Sequence, residues 1–176
     1  MTPKLPVSVL VVVHTAQGEV LLLERAARPG FWQSVTGSLD RPDEPHADAA
    51  LRELREETGI EAAARDLRRW PLAYTFEIYP QWRHRFAPGT THNTEHVFSV
   101  ALPRRAAVVL AADEHVASQW LPWREAAARC FSWSNRDAIL ALPSRVGTPM
   151  SLCGLMRRNS RQFDESKGAL NAAAIQ

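Results

Sequence analysis

"LRELREETGI", residues 51–60, sets Glu53, Glu56 and Glu57 within five positions, with Arg52 directly before the first. On an α-helix, positions i, i+3 and i+4 share a face, so these three carboxylates form one acidic stripe. Ala47, Leu51, Leu54 and Thr58 fall on another stripe, roughly 130° away at about 100° per residue. The spacing predicts a helix that packs one side on a core and presents the carboxylates beside it. Like charges at this spacing repel by about 0.2–0.5 kcal/mol per pair. A solvated helix face accounts for such a run in many proteins. A hard divalent cation accounts for it differently: Mg²⁺ takes oxygen ligands and joins carboxylates to substrate phosphates. Arg52, four residues before Glu56, is placed to hold it in one rotamer by an ion pair.

Outward from this helix the chain alternates strand and helix signals. "VSVLVVVHT" (7–15) is rich in β-branched residues and reads as a central strand. "VLLLER" (20–25) returns after the turn "AQGE" as a second strand. Residues 28–44, punctuated by Pro and Gly, read as loop with a short strand. The helix is predicted from about Glu44 to Thr58, with Pro45 in its first turn, Asp43 or Glu44 near the cap, and Gly59 as the stop. "LAYTFEIYP" (72–80), "HVFSVALP" (96–103) and "HVASQWLP" (115–122) read as strands, and 81–95 as loop or hairpin. "WREAAARC" and "NRDAILAL" read as short helices, and Ser134-Asn135-Arg136 as a helix cap. The fold class is α/β, a sandwich on a mixed sheet.

The 176 residues suit one domain, expected over 1–143, followed by a basic, poorly ordered tail over 144–176. That tail carries five basic residues against two acidic, a net +3, leaving −1 for the remainder of a chain whose formal charge is +2. No global field calls for a nucleic-acid or membrane partner. Lys4 and Lys167 are the only lysines; the other cations are arginines, which suit two-pronged phosphate contacts. Cys130 and Cys153 form neither a disulfide framework nor a metal-ligand spacing. The N-terminal apolar run is too short for a membrane span and has no evident signal-peptide cleavage site, so a cytoplasmic protein is expected.

The spacing beyond the helix carries more information than the helix alone. From Gly37 the chain runs six residues to Glu44, seven more, then Arg52-Glu53-Leu54-Arg55-Glu56-Glu57-Thr58-Gly59-Ile60. This resembles the Nudix box, Gly-x5-Glu-x7-Arg-Glu-U-x-Glu-Glu-x-Gly-U, where U is a bulky aliphatic residue. Every fixed position from Glu44 onward matches, and the first spacer is one residue longer. We place the extra residue in the loop, because an insertion within the helix would rotate the acidic face by about 100°. The resemblance implies an α/β/α sandwich with a loop-helix-loop box, and Mg²⁺-dependent hydrolysis of a diphosphate-containing ester, with Mn²⁺ as a substitute. It implies Glu53 and Glu57 as metal ligands, Glu56 as ligand or water-positioning base, the Gly37 carbonyl as a further candidate ligand, and Arg52 as the group that orients the carboxylates with Glu44.

Several runs outside the box resemble one Nudix subgroup, the dihydroneopterin triphosphate pyrophosphatases of bacterial folate synthesis: "PVSVLVVV" (6–13), "FWQSVTGS" (31–38), "FEIYP" (76–80), "RHRFAPGTTHNTEHVF" (83–98), "EHVASQWL" (114–121) and "SWSNRDAI" (132–139). The resemblance implies that Lys4 and Arg25 face the triphosphate, that Thr36 and Ser132 offer hydroxyls, and that Phe76, Glu77, Ile78 and Tyr79 meet the pterin. Aromatics can stack on a flat ring, and a carboxylate can accept two N–H bonds from its amino-pyrimidine edge. An edge strand with core aromatics gives the same pattern. "RHR" (83–85) either clamps phosphate or solvates a loop. Glu114 resembles the subgroup's extra metal-binding glutamate, a candidate general base; spacing alone does not separate it from Asp113 or Glu95. Trp32 and Trp133 offer stacking or ordinary packing. A small-molecule triphosphate substrate, with no nucleic-acid, membrane or obligate protein partner, is the expectation. A nucleotide-sanitising (d)NTP pyrophosphatase and a non-catalytic nucleotide-binding module are the alternatives.

Overall fold

The computed structural model describes residues 3–146. Residues 147–176, most of the expected tail, lie outside the described residues. Seven strands and three helices follow the order β1 (Val7–Thr15), β2 (Glu19–Arg25), β3 (Trp32–Gln33), β4 (Val35–Ser38), α1 (His46–Thr58), β5 (Leu67–Glu77), β6 (His92–Leu102), β7 (His115–Pro122), α2 (Trp123–Arg129) and α3 (Trp133–Val146). Short 3₁₀ turns occupy Ala64–Asp66 and Pro80–Arg85. Among the described residues no helix is long and apolar enough to cross a membrane.

β1 is the axis. It runs parallel to β6 through nine paired positions and antiparallel to β4 and β2, which makes the sheet mixed. β5 closes one side on β6; β3 and β7 flank β2. The β-branched run buries both faces because successive side chains alternate across the sheet. Val9, Val11 and Val13 pack with Ala49, Ala50 and Leu54 of α1. Leu10 and Val12 pack with Ala126, Ile139 and Leu142 of α2 and α3. The sheet therefore lies between helices on both faces, the expected α/β/α sandwich. Burial of one leucine such as Leu54 contributes roughly 1.5–3 kcal/mol.

Several boundaries differ from the sequence reading. Pro45 is itself the N-cap of α1 and makes no side-chain cap bond, while Gly59 ends the helix in the left-handed region (φ 67°). The buried stripe of α1 is Ala49, Ala50, Leu54, Glu57 and Thr58; Ala47 is exposed and Leu51 only half-buried. The buried stripe is thus shifted from the expected one toward Glu57, one of the three carboxylates. β6 begins at His92, not at His96, since its pairing with β5 starts at Glu77–His92. β5 starts at Leu67 and stops at Glu77; its register shifts between Arg69 and Ala73, around Pro71, which cannot donate a ladder bond. α3 continues through Pro143 to Val146. Its cap is Ser132, whose hydroxyl accepts the Asn135 N–H (3.3 Å), so Ser134, Asn135 and Arg136 lie inside the first turns.

Candidate active site

The loop over residues 109–115 assembles the acidic centre. Val109 N–H donates to Thr58 O (2.8 Å) and Ala111 N–H to Glu57 O (3.4 Å), which ties this loop to the end of α1. The chain then turns on the His115 N–H to Ala111 O bond (2.8 Å), and Ala26 N–H caps Glu114 O (2.8 Å). One carboxylate or ring nitrogen each from Glu57, Glu114 and His115 thereby comes within 4.8 Å of the others.

Glu57 is 2% exposed. Its Oε2 accepts the Thr36 N–H (3.3 Å), and its Oε1 lies 3.3 Å from His115 Nε2. His115 is equally buried, and both its ring nitrogens lack a partner in hydrogen-bond geometry. Burial pushes the Glu57 carboxyl upward, with His115 pulling the other way. Glu53 lies directly over Gly37: a Cβ on that glycine would fall 1.8 Å from Glu53 Cδ, so only glycine leaves room for the carboxylate. Burial pushes Glu53 up to about 7 against the opposing pull of Arg52.

Arg52 organises the remainder. Its Nε donates to Glu44 Oε1 (3.0 Å), Nη1 to Glu53 Oε1 (2.9 Å) and Glu56 Oε2 (3.1 Å), and Nη2 to Ser38 O (3.0 Å). Glu44, buried, also accepts the Asp40 N–H (2.7 Å). The planar guanidinium thus pins three carboxylates and the β4 backbone at once. Its neighbours stabilise its charge, and Glu44 is held below the usual carboxylate range chiefly by Arg52.

A divalent cation fits this centre. Its donors are carboxylate oxygens, the class hard cations take, and the buried His115 imidazole stands beside them. The structure brings Glu57 and Glu114 together and sets Glu53 against Gly37. It turns exposed Glu56 toward Arg52 and adds His115, which sequence reasoning missed.

Of these groups Gly37, Glu57 and Glu114 open onto a cavity of about 510 Å³. Lys4, Arg25 and Thr36 line it together with Glu57, Glu114 and Gly37. Arg25 Nη1 donates to Gln33 Oε1 (3.1 Å), and Gln33 Nε2 donates to Thr36 Oγ1 (3.0 Å). Lys4 is lowered by burial and then by Arg85, with Glu114 and Glu53 pulling the other way. Arg85 lines the cavity too, whereas Arg83 is taken up by Glu77. Phe76, Glu77, Ile78 and Tyr79 all lie on the wall, but Glu77 is an exposed partner of Arg83 and Ile78 is buried. Tyr79 packs edge-on against Trp82. Ser132 lines the cavity while capping α3. Trp133 lines it half-exposed, and Trp32 is core.

A match to the NUDIX domain spans residues 4–142. The chain belongs to the Nudix family. It is 46% identical over 139 residues to the dihydroneopterin triphosphate diphosphatase of Escherichia coli K12, covering 77% of this chain and 91% of that protein. It is 36% identical over 135 residues to the protein of the same name from Haemophilus influenzae, covering 75% and 84%. The solved structure of the E. coli dihydroneopterin triphosphate pyrophosphohydrolase superposes with a TM-score of 0.72 at 44% identity, over 79% of this chain and 95% of that one. The carboxylates Glu57 and Glu114 both line the cavity of this Nudix chain.

Proposed function

We propose that the protein hydrolyses dihydroneopterin triphosphate to dihydroneopterin monophosphate and pyrophosphate, a step of folate synthesis, with Mg²⁺ as its ion. The observation that carries this reading is one cavity lined by carboxylates, cationic side chains and aromatic rings, in a chain 46% identical to an enzyme named for that reaction. Glu53, Glu57 and Glu114 would hold the ion, with His115 beside them. Bound there, it supplies positive charge against the phosphate chain and lowers the pKa of water.

The chain's own residues do the rest. Lys4, Arg25 and Arg85 bind the phosphate oxygens. Arg52 keeps Glu53 and Glu56 in fixed rotamers, so that no reorganisation is needed during the reaction. Water bonds to phosphorus as the P–O bond to the departing group breaks. Its proton passes to the Glu114 carboxylate, the exposed member of the Glu57, Glu114 and His115 group. The test is kcat/KM for dihydroneopterin triphosphate beside dATP and dCTP. A clear pterin preference supports the reading. A nucleotide preference keeps the hydrolase and discards the pterin.

A further inference from the structure

The cavity lining includes polar groups that the phosphate chemistry does not use. Glu95 faces the cavity from β6, 5% exposed, opposite Ser8 of β1 and Tyr74 of β5. Its Oε2 has no hydrogen-bond partner. A buried carboxylate oxygen left without a partner is costly, and a ligand donor is one way to satisfy it. Around it stand neutral hydrogen-bonding groups. Asn93, on the same face of β6, donates to Ser8 Oγ (2.7 Å), and Ser134 reaches toward Glu95 from the first turn of α3. The half-exposed indole of Trp133 forms a flat wall beside them.

We infer that Glu95 is the specificity-determining residue of this cavity, reading the ring of the substrate by accepting a pair of parallel N–H bonds on its two carboxylate oxygens. A 2-amino-4-oxo pyrimidine edge, shared by pterins and guanine, presents such a pair. Adenine does not, and a 2-oxo pteridine sets a carbonyl in place of the amino group. This assigns edge recognition to Glu95 in place of Glu77, which is exposed and engaged by Arg83. Burial holds the Glu95 carboxyl up at about 7, and paired N–H donors are ligand groups that offset that cost. The inference rests on the proposed pterin substrate only for the identity of the ring.

The experiment measures binding of neopterin, which has no phosphate, by fluorescence titration without metal, to wild type and to Glu95→Gln. The expected result is at least ten-fold weaker binding by the variant, and at least ten-fold weaker binding of a lumazine than of neopterin by wild type. Equal affinities in both comparisons overturn the inference. If the variant does not fold, the wild-type lumazine comparison alone decides. The ratio of kcat/KM for dGTP to that for dATP gives a second readout, expected to fall at least ten-fold in Glu95→Gln. That ratio tests Glu95 even if the pterin triphosphate proves not to be a substrate, so the two failures are distinguishable. A ratio within two-fold of wild type contradicts the assignment.

Discussion

Glu95→Gln is expected to make the protein more stable at pH 8 and no more stable at pH 4. The wild-type carboxyl is pushed from 4.5 to about 7 on folding, by burial between β1, β5 and α3 with only Ser134 opposing. A folded-state pKa raised above the unfolded value means that the native state binds the proton more tightly. The stability linked to that proton is present below about 4.5 and is lost as pH rises through about 7. At 1.36 kcal/mol per pH unit, the ionised wild type gives up about 3 kcal/mol by pH 8. An isosteric amide carries no charge and avoids this loss. For a domain of this size that corresponds to a Tm difference of roughly 6–12 °C. Thermal unfolding followed by circular dichroism at pH 5, 6, 7 and 8, for both proteins, measures it. The gap in favour of the variant should open between pH 5 and 8. A gap that stays flat over that range refutes the reasoning, because some other loss or gain would then dominate. Together with weaker neopterin binding, higher stability would mark Glu95 as a residue kept for ligand recognition at a cost to the fold.

Three further substitutions probe the centre and its support. Arg52→Lys keeps the charge but cannot bridge Glu44, Glu53, Glu56 and Ser38 O together, so steady-state kinetics should show kcat/KM down by about 100-fold with the fold retained. Gly37→Ala drives a methyl into the Glu53 carboxylate; pyrophosphate release should fall by about 100-fold, a misplacement effect, and a fully active variant would show that Glu53 is not needed there. Asn135→Ala removes the acceptor of the buried Ser34 N–H (2.7 Å), which joins α3 to the strand beside the site; urea unfolding should report a loss of about 1–3 kcal/mol.

What the sequence made legible follows from what is local. The box is a run of fixed spacings on one helix, so Arg52, Glu53, Glu56 and Glu57 could be placed on shared turns before any fold was known. The β-branched run of β1 needed only period-two reading. The layers followed from strands alternating with helices. Relations across the chain were harder. Glu57 and Glu56 are adjacent, yet one is buried against His115 and the other is exposed on Arg52, a division set by the loop over residues 109–115. His115 carries no motif of its own and matters because that loop seats it on Glu57. Glu95 was hidden by placing the start of β6 at His96, which left it in a loop. Ser132 shows the reverse: a residue singled out for a ligand proves also to cap α3, a role its Ser-x-x-Asn spacing could have suggested.

The central claim is that this cavity opens a pterin triphosphate to release pyrophosphate with the carboxylate cluster at work. The most direct measurement is product analysis from dihydroneopterin triphosphate, separating pyrophosphate from orthophosphate, for wild type with Mg²⁺, wild type with EDTA, and Glu57→Gln with Mg²⁺. The account predicts pyrophosphate and the monophosphate from the first, and release lower by orders of magnitude from the other two while Glu57→Gln remains folded. Orthophosphate as the product, or near-normal turnover by Glu57→Gln, would contradict it.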